Sequence, residues 1–114
     1  MILPRLVISM LGENTLVFTR NGFKKLKKLN KYDEIMTGYG TFAHVTELGP
    51  WVPMTKCVIL STGEKIYCTD DTLWNIGYNR TFKFTDEIDL DGDNSNLADI
   101  FEILGVRGRY VENT

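Results

Sequence analysis

The chain has 114 residues, 43% of them apolar and 25% charged, with a formal net charge of -2 at pH 7. That size fits one domain over 1–114, with a core that needs no metal or disulfide to fold. The near-neutral charge does not call for a polyanionic partner, and no apolar run approaches the roughly twenty residues that span a bilayer.

The opening segment, Met1 to Ser9, is apolar but broken by Pro4 and Arg5 and carries no basic leader, unlike a secretory signal. It reads as a strand. Thr15 to Thr19 is a short β-rich run closed by Arg20-Asn21-Gly22, a hairpin turn signal. Phe23, Leu26 and Leu29 recur every third residue among lysines, which suits a strand end followed by one helical or 3₁₀ turn. Asp33 to Met36 leads into a strand broken by Gly38-Tyr39-Gly40, and Thr41 to Leu48 is the next candidate. Gly49-Pro50-Trp51-Val52-Pro53 reads as a loop, because neither proline can donate to a ladder.

Lys56 to Leu60 and Glu64 to Thr69 form the arms of a hairpin with Thr62-Gly63 at its tip. Val58-Ile59-Leu60 is apolar on both faces, so that arm belongs in the middle of a sheet. A two-residue turn register sets Cys57 opposite Cys68 in a hydrogen-bonded pair. Their Cα atoms are then roughly 5.5 Å apart with side chains splayed, which disfavours a bridge. Two buried free thiols and a reducing compartment are expected. Arg80 to Phe84 alternates charge with aromatic and reads as a strand. Asp86 to Asn96 is an acidic loop, Leu97 to Leu104 suits either a helical turn or a strand, and Arg109 to Val111 is a final strand. Many short strands with frequent turns indicate a compact, mostly β fold.

Two segments carry a family resemblance. Met10-Leu11-Gly12-Glu13-Asn14-Thr15-Leu16-Val17, continuing through Asn21-Gly22-Phe23 to Tyr32-Asp33, is followed by Leu60-Ser61-Thr62-Gly63 and Thr69-Asp70-Asp71-Thr72. Together they resemble the first two conserved blocks of the hedgehog/intein (Hint) family. The resemblance implies a compact β domain of short strands and hairpins. It also implies self-processing, in which a Cys or Ser attacks the preceding carbonyl with help from a Thr and a His. Here the nucleophile slot holds Met10, the Thr is Thr69, and the His slot holds Thr72. Tyr32-Asp33 stands where the family has Gly-Asp. A thioether has no proton to lose and cannot form an acyl intermediate. Loss of the acid/base group alone typically costs about 10²–10⁴ in rate. Ser9 is the fallback nucleophile, although a one-residue slip in a strand reverses the side chain's facing. Asn113 is the fallback remnant of the family's terminal His-Asn pair.

Other constellations are weaker. The acidic loop offers oxygens at Glu87, Asp89 and Asp91 with Gly92 sixth, but Ala98 stands where a calcium loop needs a bidentate Glu. No metal or cofactor is expected. The lone histidine, His44, lies outside the family's His position. Arg20, Lys24, Lys25, Lys27, Lys28 and Lys31 make a basic stretch that either faces solvent or tracks phosphates. Trp74 reads as core and Trp51, between two prolines, as a contact anchor.

The expectation is therefore a non-catalytic Hint-like binding or structural module, such as a viral or phage assembly component. It would act in a virion or a reducing cytoplasm, through a protein partner or homo-oligomer engaged by Trp51 and the basic stretch. A divergent intein with residual self-cleavage is the first alternative, and a nucleic-acid binder the second. No membrane partner is expected.

Overall fold

The computed structural model describes residues 9–37, 40–76, 81–90 and 97–113. Residues 1–8 of the expected first strand, the Gly38-Tyr39 break, Arg80 and the loop acids Asp91 and Asp93 lie outside them. The strands are β1 (Ser9–Gly12), β2 (Leu16–Thr19), β3 (Gly22–Lys25), β4 (Glu34–Met36), β5 (Phe42–Leu48), β6 (Val52–Pro53), β7 (Lys56–Leu60), β8 (Lys65–Cys68), β9 (Leu73–Ile76), β10 (Thr81–Phe84), β11 (Leu97–Glu102) and β12 (Arg107–Asn113). Two 3₁₀ turns, Leu26–Lys28 and Thr85–Glu87, complete the described elements.

The strand order is β11-β7-β8-β1-β12-β5-β4-β2-β3, with β6 added to β12 and β9 paired with β10. β1 is thus an interior strand, flanked by β8 and β12. Alternation decides which side chains turn inward. In β2, Val17 and Thr19 are buried while Leu16 is exposed. The first 3₁₀ turn puts Leu26 inward and leaves Lys27 and Lys28 outside, which explains the spacing of three. Leu11, Val17, Leu26, Ile35, Val45, Val58 and Val111 are fully buried and form the centre of the core.

Two sequence expectations change, and one open alternative is decided. The β7–β8 hairpin pairs Cys57 with Tyr67 and Lys56 with Cys68, one residue off the two-residue register. Gly63 adopts φ +91, and the amide of Gly63 donates to the Leu60 carbonyl at 2.9 Å. A three-residue loop ending in a left-handed glycine absorbs the extra residue. Cys57 and Cys68 therefore point to opposite faces of the hairpin, and both are free and buried. The segment read as a loop contains β6: Val52 pairs with Gly108 and Pro53 with Arg107. Proline is tolerated there because β6 is a short edge piece that need not donate on both sides. Leu97 to Glu102 is a strand, because it forms a ladder with apolar β7 across a bulge between Leu97 and Asp99.

Two glycines let β1 lie close to both neighbours: Gly12 faces Gly108 in the β1–β12 ladder, and a Cβ on Gly12 would come within 2.8 Å of Tyr67 Cβ on β8. A Cβ on Gly108 would collide with the Leu11 carbonyl and come within 2.7 Å of Met54 Sδ. A Gly108→Ala substitution is expected to destabilise the fold by about 3 kcal/mol through overpacking. Urea unfolding of the variant checks this, through a lowered midpoint at unchanged slope.

Candidate functional site

The two early motifs meet. β8 ends at Cys68, and its ladder with β1 is the single pair Leu11–Cys68. Beyond that point the chain turns through Thr69-Asp70-Asp71-Thr72. The Thr72 amide donates to the Thr69 carbonyl at 3.1 Å, and the Thr69 amide donates to Thr72 Oγ1 at 3.1 Å. Thr72 then donates its own hydroxyl proton to the carbonyl oxygen of Met10, 62 residues away in sequence. Thr72 is fully buried. Met10 and Thr72, the two positions where the family's reactive groups would stand, are thus in direct contact.

A second threonine organises the floor of this site. The amide of Thr85 donates to the Thr72 carbonyl at 3.1 Å and its hydroxyl to the same oxygen at 3.3 Å. Trp74 Nε1 donates to Thr85 Oγ1 at 2.9 Å, and Cys68 Sγ lies 3.8 Å from that oxygen. Sequence reasoning placed Trp74 in the core but missed Thr85. The only available signal was alternation: Phe84 is exposed, so its neighbour Thr85 turns inward and is buried.

The groups present have limited chemistry. Burial pushes the Cys68 thiol up to about 11, beyond what the Thr85 hydroxyl offsets, so it is a thiol rather than a thiolate at neutral pH. Thr69 Oγ1 is buried and has no hydrogen-bond partner among the described residues. Thr72 holds a carbonyl but does not titrate near pH 7. His44 is on β5, with Nε2 3.4 Å from Glu34 Oε1, away from this cluster. Ser9 pairs with Val111 in the β1–β12 ladder. Asn113 lies two residues beyond Val111 on β12, pairs with Val45 and is buried.

The candidate binding residues fall in two separate places. Trp51 is half-buried against the core, with the guanidiniums of Arg107 and Arg109 at 4.6 and 4.4 Å from its ring centroid. Arg109 Nε donates to the Gly49 carbonyl at 2.6 Å, so the tryptophan is clamped to β12. The basic stretch lies on β3, the 3₁₀ turn and the residues beside them. Arg20 pairs with Glu34 and lies over the Phe42 ring at 4.3 Å; Lys24 pairs with Asp33 at 2.9 Å. Lys25, Lys27, Lys28 and Lys31 are exposed, with Lys31 5.5 Å from the Tyr32 ring.

No protein-family model and no curated protein matches the chain. Solved structures do. The crystal structure of the MchDnaB-1 intein superposes with a TM-score of 0.78 at 16% identity, covering 90% of this chain and 86% of that one. The chain has an intein-like Hint fold. The gp41-1 intein gives 0.75 at 16% identity over 93% of this chain and 88% of the other. The Msm DnaB1 intein splicing domain, solved with zinc bound, gives 0.74 at 15% identity over 90% and 85%. At such identities the likeness is one of fold.

Two outcomes follow. Thr72→Val removes the donor to Met10 and the acceptor for Thr69, and is expected to cost about 1–3 kcal/mol, whereas Thr69→Val deletes an unpaired hydroxyl and is expected to cost nothing. Paired urea titrations read both. Asp33 is the second test. Burial raises its pKa, but the Asn30 amide and Lys24 ammonium outweigh this and hold it below the ordinary carboxylate value of 3.8. The folded-state value is depressed, so this contribution is present above about pH 4 and lost as pH falls through the folded value. Wild type is expected to lose stability more steeply than Asp33→Asn in thermal melts taken between neutral and acid pH.

Proposed function

We propose that this domain is a Hint-fold module that does not process itself and works through its shape and surface as a component of a protein assembly, such as a viral particle. The observation that carries this reading is the pairing of Met10 with Thr72. Self-processing of the Hint type needs a nucleophile that can lose a proton and a neighbour that can shuttle one. Met10 supplies neither an acidic proton nor a leaving group. Thr72 directs its proton at a carbonyl and is locked there by the Thr69 amide. The nearby thiol of Cys68 is buried and held protonated, which removes it as a substitute.

A nucleic-acid role for the basic stretch has less support. Arg20 and Lys24 are committed to carboxylates, and Glu34 and Asp33 bring negative charge to the same surface. Phosphate binding is favoured by uncompensated cations.

Intact-mass measurement of the full chain after prolonged incubation with a thiol, and separately with hydroxylamine, tests the proposal. The bond between Ser9 and Met10 is expected to stay intact under both treatments, whether or not hydroxylamine cuts the Asn21-Gly22 bond. A fragment ending at Ser9 would establish residual self-cleavage and overturn it.

A further inference from the structure

The sheet ends on β3, which pairs only with β2 among the described residues. The Arg20-Asn21 turn closes on the pair Thr19–Gly22, and further along the Leu26 amide bonds the Thr15 carbonyl at 2.8 Å. Bonded pairs alternate along an antiparallel ladder, so Gly22 and Lys24 turn their amides and carbonyls to β2. Those of Phe23 and Lys25 face the open side, where no described backbone group meets them. At the other end of the sheet, the outward amide of Ile100 on β11 is already taken by Asp99 Oδ1 at 2.8 Å. β3 is therefore the edge that can accept a strand.

Two further features mark this edge. Lys25, Lys27 and Lys28 are exposed and have no carboxylate partner among the described residues. Phe23 and Tyr32 are 66% and 68% exposed, and both line a cleft of about 380 Å³ that also takes in Lys24 and Asp33. Tyr32 holds φ at +74, in the left-handed region that is strained for a bulky side chain. Its ring covers no core, so packing does not offset that strain.

We propose that β3 accepts an extended acidic segment of a partner protein as an antiparallel strand, with a carboxylate opposite Lys25, an apolar side chain opposite Phe23 and a second one beyond it against Tyr32. The alternation fixes the register. The residues opposite Phe23 and Lys25 turn their own amides and carbonyls to β3, and the residue between them turns its backbone away. Gly22 shares a face with Lys24, whose ammonium reaches Asp33 in the cleft beside Tyr32. The residue opposite Gly22 therefore directs its side chain to that cleft, and nothing lies within 4 Å of where a Gly22 side chain would begin. From its amino end the segment reads acid, any residue, apolar, apolar. Acids ahead of the first lie towards Lys27 and Lys28. Lysines on the edge deter a second copy of β3, which would bring like charges, and select a strand of opposite sign. A nucleic acid is the poorer fit. It has no alternating amides and carbonyls to match the edge, and Asp33 and Glu34 at the cleft repel a continuous polyanion. This proposal rests on the reading of the domain as a module that acts through its surface.

Titration of the full chain into the capped, fluorescently labelled peptide Glu-Asp-Thr-Glu-Thr-Val-Leu-Thr, read by anisotropy, tests it. The second glutamate is placed opposite Lys25, the valine opposite Phe23 and the leucine opposite Gly22. Binding is expected, and it is expected to weaken with added salt. N-methylation of the valine amide, which bonds the edge, should weaken binding about tenfold or more. N-methylation of the threonine before it, whose amide faces away, should leave binding unchanged. Lys25→Glu should weaken binding about fivefold or more, because like charges then face each other. A peptide with lysine in place of the second glutamate should bind this variant better than it binds the wild type, which excludes misfolding as the cause of the loss. Tyr32→Gly should weaken binding about fivefold while the melting temperature holds or rises, since glycine takes the same φ without strain. Five results overturn the proposal: no binding at low salt, equal losses from the two methylations, no reversal of the Lys25→Glu defect by the lysine peptide, full binding by Tyr32→Gly, or tighter binding of oligothymidylate than of the peptide at the same salt. None of these bears on self-cleavage, which intact mass decides alone.

Discussion

The structure depends on how the carbonyl of Met10 is satisfied. β1 runs through the interior of the sheet, and a carbonyl partly withdrawn from water there needs a donor. On one side β12 supplies a ladder of four residue pairs. On the other, β8 supplies one pair and stops at Cys68. The Thr72 hydroxyl takes over where the ladder ends. That one bond ties the start of the described chain to the turn after β8, and Thr85 and Trp74 fix the turn from beneath.

On the proposed reading, Thr72 is a strut at the position where the resemblance would place an acid/base group. The exchange is physically reasonable. A threonine at the end of a strand can reach a neighbouring carbonyl and accept an amide with the same oxygen. The Thr69 hydroxyl beside it is buried and has no hydrogen-bond partner among the described residues.

Much of this was legible in the sequence, for identifiable reasons. The hairpin arms, the 3₁₀ turn at Leu26 and the interior position of Val58 follow from periodicity, turn residues and apolarity on both faces. The contact between Met10 and Thr72 was implied by the family resemblance, not by spacing or composition. What stayed hidden depended on tertiary detail. The one-residue shift that separates Cys57 from Cys68 comes from the left-handed conformation of Gly63, which a Thr-Gly pair does not specify. Val52 and Pro53 became a strand because β12 had a free stretch to pair with. Alternation beside Phe84 predicts only that Thr85 turns inward; its bonds to Thr72 and Trp74 depend on its neighbours in space. Trp51 reads from the sequence as a contact anchor, and in the fold its ring also packs against the guanidiniums of Arg107 and Arg109, so its removal would perturb stability together with any binding.

The central claim is that the framework of a self-processing site is intact while its reactive groups are not. Installing them is the most direct measurement: the double substitution Met10→Cys with Thr72→His, followed by intact mass with and without thiol. If the geometry is retained, the new thiol attacks the Ser9 carbonyl and the imidazole protonates the departing amide nitrogen. The account predicts a thiol-dependent fragment ending at Ser9 in the double variant and none in the wild type. A folded double variant that stays whole, or a wild type that releases the fragment, would contradict it.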